Sequence, residues 1–136
     1  MKKVLILCTG NSARSQMAEG LLKHISFNEY EVFSAGTMPS IVRREAIKVL
    51  AEIGIDISKN RSKSVDEFNG QEIDYVLTVC DNAKENCPYF PAKTKLIHHS
   101  FDDPPAADEL DEEKRLTIFR RVRDEIKNYF ENEFLK

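Results

Sequence analysis

The feature that most constrains the fold is a continuous apolar run, KVLILC, at residues 3–8. An uninterrupted run of this length, bounded by turn residues, is typical of a strand that is buried on both faces of a sheet. Three later segments also predict short strands: EVFSAG at 31–36, IDYVLTVC at 73–80 and KLIHH at 95–99. A chain with such strands must cover its sheet with other elements.

Helical periodicity alternates with these strands. Apolar residues recur at helical spacing over 17–25 and again from Asp111 onward. A third helical pattern lies between Ser40, which suits an N-cap, and Gly54, which suits the position just after a helix end. Strands that alternate with helices predict the α/β class, here a four-stranded parallel sheet flanked by helices.

Length and charge limit the classes of protein to which this chain can belong. Its 136 residues predict one domain over 1–136, and we expect a monomer. The net charge of -3 argues against the strongly basic face of a nucleic-acid-binding protein. No apolar run reaches the length of a membrane span, and the N-terminal apolar stretch ends at Cys8, too early for a secretion signal. We therefore expect a cytoplasmic protein with no membrane or nucleic-acid partner.

The segment CTGNSARS, residues 8–15, lies between the first predicted strand and the first predicted helix. In a parallel α/β sheet, ligands bind at this turn because it follows the carboxyl end of a strand. We expect Gly10 to supply a positive φ, so that successive amides converge on an anion at the N-terminus of the helix. The predicted oxyanion-binding residues are Thr9, Gly10, Asn11, Ser12, Ala13, Arg14 and Ser15.

Cys8 and Arg14 give this loop its chemistry. The guanidinium of Arg14 can donate two hydrogen bonds to a tetrahedral oxyanion. The same positive field stabilises a thiolate at Cys8 and makes it a nucleophile, and the Ser15 hydroxyl is placed to donate to that sulfur. The alternative is an inert, buried cysteine at a strand end. The combination of strand, glycine, arginine, serine and helix favours the nucleophile.

The spacing C-x5-R-S resembles the signature loop of the protein tyrosine phosphatases. Its place directly after the first strand, followed by QMAEG, is similar to the low-molecular-weight phosphatase superfamily in particular. In that superfamily the general acid is the aspartate of an Asp-Pro loop. The resemblance assigns this role to Asp103 of SFDDPP, with Asp102 as the second choice. Without the resemblance, a solvated acidic loop is the favoured interpretation.

Cys80 and Cys87 have no role in such a phosphatase, but the chain resembles a branch of the superfamily that uses them, the thioredoxin-coupled arsenate reductases. The matching stretches include SAGT, AIKVLAEIGIDIS, VLTVCDNAKENCP, FDDP and RRVRDEI. The resemblance implies that arsenate is the substrate and that Cys8 attacks arsenic. It also implies that Cys80 and then Cys87 carry the oxidation to a disulfide, which thioredoxin reduces.

A disulfide between Cys80 and Cys87 places a demand on the segment that joins them. A regular helix over 80–87 would hold the two Cα atoms about 10 Å apart. A disulfide tolerates a Cα separation of only about 7 Å. The resemblance implies a Cys80–Cys87 disulfide in the oxidised protein, and the two distances predict that this segment is then out of regular helical form.

The sequence differs from the family pattern among the residues that are expected to support the anion-binding loop. Some members of the superfamily bind potassium there, and Asn11, Glu19 and Ser34 match ligand positions, whereas Lys63 falls where a further carboxylate is expected. No cofactor is expected, and a monovalent cation near Asn11, Glu19 and Ser34 stays open, because the ammonium of Lys63 can take its place. Asn11, Ser15 and Ser34 are predicted to support the loop.

Two rival functions remain open beside the reductase, which we favour. The first is a low-molecular-weight protein tyrosine phosphatase that hydrolyses phosphotyrosine through a Cys8 phosphoenzyme. Against it, Pro105 stands where such enzymes usually carry an aromatic residue that stacks on the substrate ring, and the opposite wall, GTMPS, offers no aromatic residue. The second rival is a structural zinc site, whose ligands would be Cys80, Cys87, His98 and His99. Against it, the cysteines are spaced more widely than in usual zinc motifs.

Overall fold

The computed structural model describes residues 1–27, 29–81, 87–106 and 108–134. Its elements, in chain order, are β1 (Lys2–Cys8), α1 (Arg14–Ile25), β2 (Tyr30–Gly36), α2 (Arg44–Ala51), a 3-10 helix (Val65–Phe68), β3 (Tyr75–Thr78), β4 (Lys95–His98) and α3 (Glu112–Asn132). The strands form one parallel sheet in the order β2-β1-β3-β4. The predicted α/β class and four-stranded parallel sheet are therefore confirmed.

β1 lies inside the sheet, and its alternate side chains serve two separate apolar clusters. Val4 and Ile6 belong to the larger cluster, which contains the buried sides of α1, α2 and α3. Leu5 and Leu7 belong to a smaller cluster on the opposite face, where Phe68 of the 3-10 helix helps to cover the sheet. Because both faces of β1 are covered, its residues are apolar without interruption, as the KVLILC run indicated.

α2 begins later than the sequence predicted. Its N-cap is Arg43 and not Ser40, so that prediction is wrong. The amide of Arg43 donates to the carbonyl of Ser12 at 2.9 Å, and the amide of Ser40 donates to the hydroxyl of Ser62 at 3.0 Å. These contacts hold the segment before α2 against its neighbours, and helical backbone begins only beyond them. Gly54, after the helix, does have the left-handed φ, 84°, that suits a glycine there.

α3 closes the side of the sheet on which α1 and α2 lie. Asp111 caps its N-terminus by accepting a hydrogen bond from the amide of Lys114 at 2.9 Å. Its buried face carries Phe119, Val122 and Ile126. Among the described residues, no helix has both the length and the apolar character that crossing a membrane requires.

Candidate active site

The loop after β1 lies at the carboxyl edge of the sheet. Cys8 ends β1, pairs with Gly36 at the end of β2, and is 2% exposed. Arg14 is the first residue of α1, so the segment between Cys8 and Arg14 is the whole connection from strand to helix. Its amides therefore lie at the positive end of α1. A Cβ on Gly36 would overlap the carbonyl oxygen of Thr9, so glycine is what lets β2 approach the loop this closely.

A left-handed residue shapes the loop, but it is Asn11 and not Gly10. The φ of Asn11 is 47°, whereas the described glycines with positive φ are Gly54 and Gly70. The conformation predicted for Gly10 is therefore wrong. Asparagine enters this region more readily than most residues because its short polar side chain forms local hydrogen bonds.

The side-chain amide of Asn11 connects the loop to neighbouring residues through both its nitrogen and its oxygen. Its Nδ2 donates to the hydroxyl of Ser15 at 2.7 Å and to that of Ser34 at 2.9 Å. Its Oδ1 accepts from Gln16 Nε2 at 2.9 Å and from the amide of Lys63 at 3.0 Å. Both ends of the amide are thus engaged, and its orientation is fixed by this network.

The hydroxyl of Ser15 contacts the sulfur of Cys8, with 2.9 Å between Oγ and Sγ. This Oγ accepts a hydrogen bond from Asn11 and keeps its own proton, which it can donate to a Cys8 thiolate. A hydrogen bond donated in this way stabilises negative charge on the sulfur. The structure thus places Ser15 where the sequence analysis expected it, and Asn11 orients it.

The carboxylate of Glu19 lies behind Ser34, whose hydroxyl donates to Glu19 Oε1 at 2.7 Å. Lys23 Nζ and Asn60 Nδ2 contact the other carboxylate oxygen at 3.0 Å and 3.2 Å. Lys63 Nζ lies 3.9 Å from Oε1, and its side chain is mostly buried. Burial lowers the pKa of Lys63 from its usual value, although the negative charge of Glu19 opposes the shift.

These contacts do not fit a monovalent cation beside the loop. Such an ion is held by oxygen ligands, but the group of Asn11 that faces Ser34 is the amide nitrogen. The carboxylate of Glu19 is already paired with the ammonium groups of Lys23 and Lys63. A further positive ion placed between these ammonium groups would be repelled by both.

Two consecutive aspartates follow β4 and contact different arginines. Asp103 Oδ1 lies 3.5 Å from Arg14 Nη2, and the side chain of Asp103 is 69% exposed. Asp102 Oδ2 lies 3.1 Å from Arg121 Nη1 on α3. Both aspartates line the same cleft as Cys8, which has a volume of about 880 Å³. The contact with Arg14 places Asp103 nearer to the anion loop than to α3.

The walls of this cleft carry both signs of charge. Its charged lining residues are Arg14, Arg43, Arg121, Asp81, Asp102, Asp103 and Glu109. Pro104 and Pro105 also line it, and among its described lining residues there is no aromatic side chain. Met38, which the sequence suggested for the opposite wall, is 72% exposed and is not part of the lining. The described lining therefore offers no ring on which an aromatic substrate could stack.

Cys80 and Cys87 form a disulfide, with their Cα atoms 5.8 Å apart. The disulfide expected from the sequence is thus confirmed. The shape predicted for the segment between the two cysteines falls on residues 82–86, which lie outside the described residues. Cys80 is fully buried in the same apolar cluster as Cys8, whereas Cys87 is only partly buried and packs against that cluster. Cys8 carries a free thiol.

The register of the sheet explains why Cys8 and Cys80 lie at the same edge of the sheet. β3 is the direct neighbour of β1, with Thr78 opposite Leu7. The amide of Val79 donates to the carbonyl of Leu7 at 2.9 Å. The chain therefore reaches Cys80 at the level where β1 ends in Cys8.

The sequence also matches a known protein family. Residues 3–135 match the family model described as low molecular weight phosphotyrosine protein phosphatase. This chain belongs to that family.

Several similar proteins within the family are arsenate reductases. The arsenate reductase of Halalkalibacterium halodurans is 47% identical over 125 residues, covering 92% of this chain and 89% of that protein. The structure of an arsenate reductase in the phosphate binding state has a TM-score of 0.78 and 34% identity, covering 97% of this chain and 95% of that one. A thioredoxin-dependent arsenate reductase of Corynebacterium glutamicum has a TM-score of 0.63 and 25% identity, covering 96% of this chain and 62% of that one. The resemblance drawn from the sequence motifs is thus confirmed.

The four residues of the rival zinc site do not come together as ligands. The sulfurs of Cys80 and Cys87 are bonded to each other. His98 Nδ1 lies 2.6 Å from a threonine hydroxyl of β3, and the ring of His99 packs at a tilt against that of Tyr129 with centroids 4.1 Å apart. In the part of the chain that the structure describes, no group of three or more histidine, cysteine or acidic side chains is arranged to hold a metal ion.

A buried charge cluster beside the cleft was missed by the sequence analysis. Glu45 of α2 is 3% exposed and accepts hydrogen bonds from Arg43 and Arg115, each at 2.9 Å. Burial by itself raises the pKa of Glu45, but hydrogen bonds from the two arginines outweigh it and lower the pKa to about 2. In the sequence these charges look like those of solvated helix faces. Only the packing of α2 against α3 distinguishes them.

Proposed function

We propose that this member of the family is an arsenate reductase that works by a thiol–disulfide relay and is regenerated by thioredoxin. The observation that carries the proposal is the Cys80–Cys87 disulfide, one strand away from the free thiol of Cys8 at the same edge of the sheet. A phosphatase that completes its reaction with water has no use for this disulfide. The arsenate reductases among similar proteins support the same conclusion.

Arsenate binds in the connection between β1 and α1. It is a tetrahedral oxyanion, and the amides at the N-terminus of α1 together with the buried guanidinium of Arg14 supply its hydrogen bonds. Arg14 acts as a rigid fork, which gives orientation as well as charge. The other oxyanion-binding residues in this proposal are Thr9, Gly10, Asn11, Ser12, Ala13 and Ser15.

The first chemical step is attack by the thiolate of Cys8 on arsenic. A sulfur–arsenic bond forms while one arsenic–oxygen bond breaks. Asp103, which is held near the anion loop by Arg14, gives its proton to the departing oxygen, so that a hydroxyl leaves as water. Asp102 is less suited to this role because its carboxylate is directed to Arg121 on α3. Ser15 stabilises the sulfur before attack.

The remaining steps transfer electrons between sulfurs. Cys80 attacks the sulfur of Cys8, so the sulfur–arsenic bond breaks and its electron pair stays on arsenic, which leaves as arsenite. Cys87 then attacks Cys80, frees the thiolate of Cys8 and leaves the Cys80–Cys87 disulfide. The dithiol of thioredoxin reduces this disulfide, so one dithiol is oxidised for each arsenate reduced. The partial exposure of Cys87 makes it the sulfur that thioredoxin can reach.

The alternative is a low-molecular-weight protein tyrosine phosphatase. The family model supports the anion loop and nucleophile that both activities share, so weak hydrolysis of aryl phosphates is expected in either case. The described lining of the cleft, which offers no aromatic side chain to stack on a tyrosine ring, favours the small inorganic oxyanion.

The test is arsenite release measured beside hydrolysis of an aryl phosphate. With thioredoxin, thioredoxin reductase and NADPH, we expect the purified protein to oxidise NADPH in step with arsenite release. Replacing both Cys80 and Cys87 with serine is expected to abolish this turnover and to leave aryl phosphate hydrolysis within about twofold, because Cys8 and Arg14 remain. Hydrolysis without any arsenite release from the unmodified protein would establish the phosphatase instead.

We further expect Lys63 to make the enzyme independent of potassium. Its ammonium and that of Lys23 already neutralise Glu19 behind the loop, so wild-type rates in potassium, sodium and choline chloride of equal ionic strength should be the same. Lys63→Asp instead places two carboxylates together, which repel unless a cation binds between them. This variant should lose activity in choline chloride and regain it in potassium chloride.

Lys59→Asp is the matched control, because it changes the same net charge at an exposed position. Its rate should be the same in all three salts. A wild-type rate that rises with potassium would refute the assignment of Lys63, whatever the behaviour of the two variants.

A further inference from the structure

Asp103 lies between two anchored points of the chain. Two residues before it, the amide of Phe101 donates to the carbonyl of Val79 at 3.1 Å, and the Phe101 carbonyl accepts from Arg14 at 3.5 Å. Two residues after it, the carbonyl of Pro105 accepts a hydrogen bond from Arg43 Nη2 at 3.1 Å. The first anchor belongs to the sheet and the anion loop, but the second comes from the residue that precedes α2.

The segment from Asp103 to Pro105 is stiff because two consecutive prolines follow the aspartate. Each proline fixes its own φ, and the ring of Pro104 also restricts the backbone of Asp103. A hydrogen bond to the carbonyl of Pro105 therefore limits where the backbone of Asp103, and with it the start of its side chain, can lie.

Arg43 joins the two loops that meet at the cleft. Its backbone amide donates to the carbonyl of Ser12 in the anion loop at 2.9 Å, and its side chain donates to Pro105 after the acid. Arg43 thus contacts both the part of the chain that binds the oxyanion and the part that carries Asp103. Arg43 itself lines the cleft.

The side chain of Arg43 is held in place from two other directions. Its Nη2 also donates to Glu45 at 2.9 Å, and Arg115 of α3 donates to the same carboxylate oxygen at 2.9 Å. Its guanidinium carbon lies 5.1 Å from the centroid of the Phe119 ring, in cation–π contact. The side chain of Arg43 is only 15% exposed. These contacts immobilise the side chain of Arg43. It therefore holds the Pro105 carbonyl in place and does not follow its movements.

We infer that Arg43 is a positioning residue for proton transfer, holding Asp103 at the correct distance from the oxyanion through its hydrogen bond to Pro105. The inference rests on the proposed role of Asp103 as the general acid. Arg43 does not touch the reacting atoms in this scheme, so its effect must pass through Asp103. Glu45 and Arg115 keep Arg43 in position, and Glu45 remains ionised throughout the pH range in which enzymes are assayed because its pKa is about 2.

A double-mutant cycle separates positioning from a general structural role or from direct binding of the substrate. Arg43→Met removes the side-chain hydrogen bonds and leaves the backbone bond to Ser12. In the wild-type background it should lower the rate of arsenite release about tenfold, which is part of the factor that a general acid supplies. In the Asp103→Asn background, where no acid remains to be positioned, the same change should lower the rate by less than about twofold.

Arg44→Met is the matched control, because Arg44 is the next arginine along the chain and pairs with Glu112 of α3 away from the cleft. It should leave the rate unchanged in both backgrounds. Circular dichroism shows whether Arg43→Met folds. If it does not, Arg43→Lys, which keeps the charge without the planar fork, replaces it in the double-mutant cycle. It should lose part of the rate in the wild-type background only.

The same cycle can be measured with phenyl phosphate, whose leaving oxygen also requires a proton and whose hydrolysis needs neither Cys80 nor thioredoxin. If the wild-type protein releases no arsenite, the proposed reduction fails while the role of Arg43 is still decided on phenyl phosphate. Equal losses from Arg43→Met with and without Asp103 would overturn the inference, as would an unchanged rate in the wild-type background.

Discussion

The Cys8→Ser variant should release no arsenite, either in a single turnover or with thioredoxin in excess. A serine hydroxyl is a far weaker nucleophile than a thiolate in this field, and it cannot form the disulfide that the relay requires. The expected loss is therefore complete within detection, and it exceeds the effect of removing the acid at Asp103, which is about 10²-fold to 10⁴-fold.

Binding of the oxyanion should survive this substitution. The amides of the loop and the guanidinium of Arg14 are unchanged, so calorimetry should still detect arsenate or phosphate binding to Cys8→Ser. Because Cys80 and Cys87 are also unchanged, the variant should still show their disulfide by mass mapping after oxidation. Arsenite release that persists in Cys8→Ser would rule out Cys8 as the attacking group.

The Cys87→Ser variant should complete one turnover and then stop. Attack by Cys8 and then by Cys80 needs no third thiol, so one equivalent of arsenite should appear. The product is a Cys8–Cys80 disulfide, and both of its residues are buried in the native structure, at 2% and 0% exposure. Thioredoxin cannot reach such a disulfide readily, so steady-state turnover should fall to the background rate.

Mass mapping provides the decisive measurement for this variant. The stalled protein should contain the Cys8–Cys80 disulfide in stoichiometric amount. Cys80→Ser serves as the matched control, since it allows the attack on arsenic but removes the thiol that displaces the product, and it should release no arsenite. Sustained turnover by Cys87→Ser would show that thioredoxin resolves the first disulfide directly and that Cys87 is dispensable.

Several features of the fold and site could be predicted because their causes are local. KVLILC predicts a strand buried on both faces, since only a covered strand lacks polar alternation. The loop from Cys8 to Arg14 follows from its place between that strand and a helix, and the alternation of strands and helices gives the parallel sheet. The Cys80–Cys87 disulfide followed from the family resemblance and not from spacing alone.

Other features depended on contacts between distant parts of the chain. The start of α2 was misplaced because the segment before it is held against Ser62 and Ser12, through the amides of Ser40 and Arg43. These partners are distant in sequence, so local propensity does not reveal them. The left-handed residue of the loop is Asn11, whose side chain is fixed by partners outside the loop such as Ser34.

The sequence by itself determined the fold class and the family, because the signals of strand burial, turn chemistry and motif order lie in neighbouring residues. The tertiary structure alone decided which charges are buried beside the cleft. Arg43, Glu45 and Arg115 are indistinguishable from solvated charges until α2 packs against α3 and buries them together. A buried charged side chain must be paired and is therefore held by fixed partners. Burial is a property of the assembled chain and not of any one segment.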